Sequence, residues 1–77
     1  MKNFTNERKA ELKAIITKYI EENPGARKRD LGRPCGEWYC NLIGIISELE
    51  TEGTIYRVFH QDIGNMEIYD KFYKNLE

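Results

Sequence analysis

Four cations, Arg27, Lys28, Arg29 and Arg33, fall within seven residues, opposed there by Asp30 alone. Guanidinium and ammonium groups gathered in this way can hold phosphate, arginine through paired N–H donors and lysine as a point charge. An acidic protein partner or a plain solvated face are the other uses of such a cluster. Glu48, Glu50 and Glu52 form a stretch of opposite sign just before Gly53, with no basic neighbour in sequence. The formal net charge is −1, whereas nucleic-acid-binding domains are commonly basic. The chain is therefore close to neutral but polarised, and the case for a phosphate partner rests on distribution.

Other chemistry has less to build on. Cys35 and Cys40 are too few for a disulfide framework, and a structural zinc site needs about four ligands. The single histidine, His60, lies far along the chain and reads as a surface residue of the last segment. No metal and no cofactor are expected. No glycine-rich phosphate loop or nucleophile elbow is present, and Glu48 and Glu52 would share an exposed helix face rather than a cleft. The chain is not expected to be an enzyme. Trp38 reads as a core residue rather than a stacking platform. Tyr56, Phe59, Tyr69, Phe72 and Tyr73 are more aromatics than one hairpin face can bury. About half of them should pack on the first helix, the rest forming a strip for self-association or for stacking with single-stranded nucleic acid.

The elements that must position these groups follow from periodicity. The 77 residues suit one domain spanning 1–77 with a thin core. No apolar run approaches a membrane span, and Met1 to Thr5 lacks the apolar stretch of a secretory signal, so a cytoplasmic protein is the expectation. Leu12, Ile15, Ile16, Tyr19 and Ile20 mark one face of a helix over 6–22. Thr5 or Asn6 should cap it, and Asn23-Pro24-Gly25 should stop it. A short helix is expected over 26–31, bounded by Gly25 and Gly32, because Arg33-Pro34-Cys35-Gly36 does not favour continuing it. A third helix over 37–52 would bury Trp38, Leu42, Ile45, Ile46 and Leu49, with Gly53 as its C′ residue. Two β-branched and aromatic runs, 54–60 and 66–72, read as a hairpin with a tip of about five or six residues.

This order of elements, with the stretch Ile45-Ile46-Ser47-Glu48-Leu49-Glu50-Thr51-Glu52-Gly53-Thr54-Ile55, resembles the winged helix-turn-helix family. That family ends its third helix with a leucine, an acidic residue, a glycine four places after the leucine and a β-branched strand opener. The resemblance implies an α+β, mainly α, fold of three helices followed by a two-stranded β-hairpin wing. It also implies DNA as partner, with the third helix in the major groove. Glu37, Cys40, Asn41, Gly44 and Ser47 would then face outward. Asn41 would read adenine and Glu37 would accept from cytosine, while Gly44 would allow close approach. Arg27, Lys28, Arg29 and Arg33 would hold phosphates, and Arg57 and Lys71 would contact DNA from the wing. A small transcriptional regulator, or an accessory factor of a phage or other mobile element, is the expected role. The same fold as a protein-interaction module, using the acidic stretch and the aromatic hairpin, is the alternative, and a single-strand binder is a third. A homodimer through the first helix or the hairpin edge would match two half-sites.

Overall fold

The computed structural model describes residues 3–76. The outermost residues of the expected domain, Met1, Lys2 and Glu77, lie outside them. The element order is α1 (Asn6–Glu22), α2 (Lys28–Cys35), α3 (Tyr39–Thr51), β1 (Ile55–Asp62) and β2 (Glu67–Lys74).

The expected span of α1 is the observed one. The Thr5 side chain accepts from the Arg8 N–H at 3.1 Å, satisfying a first-turn donor. At the other end, the backbone N–H and side-chain amide of Asn23 both donate to the Tyr19 carbonyl. Leu12, Ile16 and Ile20 are buried, and Ile15 packs at the margin of the core.

The second helix runs on past its expected end at Leu31. Gly32 does not break it. A Cβ at this position would lie 2.3 Å from the carbonyl oxygen of Glu37, so only glycine lets the start of the next segment pass this close. Pro34 forfeits one hydrogen bond in the last turn, where the helix is about to stop anyway. Gly36, at φ 65°, then turns the chain. Its N–H donates to the Arg33 carbonyl, and that of Glu37 to the Gly32 carbonyl, the paired bonds of a Schellman closure. Gly53, at φ 79°, closes α3 likewise: its N–H donates to the Glu50 carbonyl, and that of Thr54 to the Leu49 carbonyl.

Leu42, Ile45, Ile46 and Leu49 form the buried stripe of α3 as expected, but Trp38 does not join them. It precedes the helix in extended conformation (φ −74°, ψ 145°) and is 79% exposed. The apolar period that included it holds only inside a helix, and α3 begins one residue later. Tyr39, half-buried, packs against the core instead.

The strands pair antiparallel from Ile55 opposite Lys74 to Asp62 opposite Glu67. Each begins one residue later and ends two residues later than expected, and the extension of β1 leaves a turn over 63–66. Ile55 and Phe72 are buried with the helices. Phe72 alone of the five aromatics is fully buried, fewer than the expected half. Tyr56 and Tyr73 stack on the other hairpin face at 5.5 Å between centroids. The sheet has one further contact. Ala26 bridges to Phe72, whose N–H donates to the Ala26 carbonyl and whose carbonyl accepts from the Gly25 N–H, both at 2.9 Å. No helix among the described residues is long and apolar enough to cross a membrane.

Candidate nucleic-acid interface

The basic cluster lies where α2, the start of α3 and the hairpin meet. Arg27 leaves the Ala26 bridge alongside β2 and lays its guanidinium over the Tyr69 ring, 3.8 Å from the centroid. Lys28 reaches Asp70 of β2 at 3.2 Å and lies 5.7 Å from the centre of the Tyr39 ring. Asp30, the acidic residue inside the cluster, caps its own helix by accepting from the Arg27 N–H at 3.2 Å. Arg29 and Arg33 are exposed on α2, with no carboxylate partner among the described residues. They line a shallow depression shared with Trp38 and Tyr39. Two cations therefore tie α2 to the hairpin and two stand open to solvent beside the entry to α3.

The outward strip of α3 is small and uncharged. Cys40, Gly44, Ser47 and Thr51 are exposed along it, one or two turns apart as helical spacing requires. A Cβ at Gly44 would meet nothing within 4 Å, so this surface admits a close neighbour. Asn41 lies off the strip, half-buried in a depression with Phe4, Lys9 and Glu48 on the α1 side. Glu37 is half-buried in the link between α2 and α3.

The acidic end of α3 finds in space the partners that it lacks in sequence. Lys13 of α1 pairs with Glu52 and, more distantly, Glu48. Arg57 of β1 holds Glu50 at 2.6 Å and Asp70 at 3.3 Å. These carboxylates push both the Lys13 ammonium and the Arg57 guanidinium above their ordinary pKa values, the hydrogen bond being the main cause in each. Arg57 is thus a structural clasp between α3 and β2, and its guanidinium is already engaged. Lys71 is half-buried, 5.9 Å from the centre of the Tyr69 ring on the opposite hairpin face. His60 is half-buried rather than a plain surface residue, its ring tilted against Tyr69 at 4.6 Å. Cys35 is buried, and burial pushes its thiol pKa up, while Cys40 is exposed.

At the hairpin tip, Asp62 accepts from the N–H groups of Gly64 and Asn65 and from the Asn65 side chain. These bonds hold its carboxyl below the ordinary aspartate range. The tip presents Ile63 and Met66, 79% and 88% exposed, and no arginine or lysine.

Three helices, the third closing at Gly53 into a hairpin that is bridged back to the residue before the second helix, decide the architecture. The chain has the winged helix-turn-helix fold. Three solved structures share it. A transcriptional regulator SlyA superposes with a TM-score of 0.60 over 94% of this chain at 24% identity. Two MepR variants, one from a multidrug-resistant S. aureus clinical isolate, superpose with TM-scores of 0.60 and 0.58 over 95% of it, both at 19% identity. The chain spans 45% to 49% of the length of those proteins. No family model and no curated protein matches the sequence. In winged-helix terms β1–β2 is the wing, and the open cations lie next to the start of α3.

Proposed function

We propose that this winged helix binds duplex DNA, as a small regulator or accessory factor, through the surface formed by α2 and the exposed strip of α3. The observation that carries the reading is the placement of Arg29 and Arg33, solvated and free of carboxylates among the described residues, beside the first turn of α3. Their charges would fix phosphate register while the uncharged strip lies close to the bases. Lys28 and Arg27 would contribute field but are partly engaged by Asp70 and Tyr69. Arg57 belongs to the clasp and is not a DNA contact in this reading. Asn41 would reach bases only from the flank of the helix.

The resemblance to a named transcriptional regulator supports the class of partner. The wing tip, without cations, would add little phosphate contact, so affinity would rest on the α2–α3 end. Fluorescence anisotropy with random duplex tests this. Arg29→Ala with Arg33→Ala should weaken binding to every sequence alike and reduce the salt slope by about two, one for each lost phosphate contact. A double variant that binds as tightly as the parent, with the same slope, would discard the interface.

One observation favours a second reading. Trp38 is a large exposed ring flanked by two arginines, which is the composition of a single-strand stacking site. Tighter binding to single strands than to duplex, lost in Trp38→Ala, would select it.

A further inference from the structure

The two strands of the wing are not equally covered. β2 has β1 on one side and, at Phe72, Ala26 on the other, whereas among the described residues β1 pairs on one side only. The polarity of the open side follows from bonds already described. Phe72 spends its N–H and carbonyl on Ala26 and Gly25, so its opposite number, Arg57, turns its own N–H and carbonyl away from β2. Alternation gives Ile55, Phe59 and Gln61 the same outward orientation. This edge is eight residues long, continuous in register, and has no proline or lysine, two of the devices that ordinarily blunt an open strand, while its charged residues, Arg57 and Asp62, are engaged by Glu50 and Asp70 and by the turn. It is also apolar at the surface, with Tyr56, Val58 and Phe59 being 49%, 44% and 61% exposed.

We propose that the open edge of β1 is a self-association surface. It pairs antiparallel with β1 of a second copy about a two-fold axis at Phe59, joining the two wings in one four-stranded sheet. Three features select this occupant and this register. Arg57 falls opposite Gln61 of the second copy and Phe59 opposite its twin, so outward-facing groups meet outward-facing groups. The axis lies midway between Tyr56 and Asp62, a stretch in which Tyr56 to Phe59 and Gln61 are exposed and His60 and Asp62 half-buried, and leaves buried Ile55 at the margin. No like charges oppose one another: Asp62 faces Tyr56, His60 faces Val58, and Arg57 is already held by Glu50 and Asp70. A two-fold axis through the sheet puts the faces that carry α2 and α3 on the same side. Both Arg29–Arg33 ends would then look one way, as a palindromic duplex requires. The association itself does not depend on DNA.

Sedimentation equilibrium without nucleic acid tests the proposal. Phe59→Lys and Phe59→Glu each set like charges on the axis and should weaken association roughly tenfold or more. An equimolar mixture of the two should recover it as a mixed dimer, because the charges are then opposite. Phe59→Pro removes one outward N–H, spares the bonds to β2, and should weaken association in the same direction. Phe59 lies outside the core, so helical circular dichroism and cooperative melting should be retained in all three. A parent chain that stays monomeric up to about 1 mM, variants that associate as tightly as the parent, or a mixture no tighter than either variant alone would overturn it.

Discussion

Gly32 shows how one residue can carry opposite meanings in the sequence and in the fold. Beside Pro34 and Gly36 it reads as the end of a helix, and inside α2 it is the contact that lets the Glu37 backbone cross. The signal for that crossing is three-dimensional and no local pattern contains it. The usual gain of about 1 kcal/mol on replacing helical glycine by alanine should therefore be reversed here. Gly32→Ala should cost about 1–3 kcal/mol through overpacking, read as a lower melting temperature and urea midpoint, and a stabilised variant would contradict the 2.3 Å approach. Trp38 marks the same limit. Its spacing matches the apolar stripe of α3, but its extended backbone, one residue outside the helix, sends the ring to solvent. Arg29 and Arg33 could be named as part of a basic cluster, though not separated from Arg27 and Lys28, because their difference is the presence of β2 beside two of them.

Elements were more legible than residues. The span of α1, the stripe of α3, and the closure at Gly53 follow from 3.6-residue spacing and glycine chemistry. Both strands were recognisable from β-branched and aromatic residues, but Gln61 and Asp62, the last two residues of β1, resemble turn chemistry, so the tip proves shorter than its composition implies. Asp62 is the clearest case: it is the last residue of β1, and its carboxylate organises the turn by accepting from Gly64 and Asn65. Because those bonds lower its native pKa, the stabilisation of the tip is fully present above the unfolded value near 3.8 and is lost as pH falls through the lower native one. An NMR titration should find Asp62 protonating below the usual aspartate range, with the amides of Gly64 and Asn65 shifting in step. In Asp62→Ala that acid transition should vanish and the tip should be looser at neutral pH.

At the scale of the molecule, a chain of net charge −1 becomes a body whose acidic groups are largely consumed internally. Glu50, Glu52 and Asp70 each hold a cation from another element, while Arg29 and Arg33 are left to the solvent. The polarisation visible in the sequence thus survives folding on its positive side more than on its negative one. Phe72 joins all layers, buried among α1, α2 and α3 residues and bonded through its backbone to Ala26 and Gly25. Phe72→Ala should cost about 3–5 kcal/mol, a large share of the roughly 5–15 kcal/mol that holds a domain together, and urea unfolding should show helix and hairpin signals failing at one reduced midpoint. The Ala26 bridge also bears on how the wing moves. That bridge, the buried Ile55 and Phe72, and the ion pairs of Lys28 and Arg57 fix the base of the wing to the helical body, so beyond His60 and Tyr69 the outer hairpin behaves as a beam fixed at one end, held by its own ladder. Its tip can swing without disturbing the packing beneath, which makes the gap between the wing tip and α3 the coordinate that the molecule adjusts most cheaply.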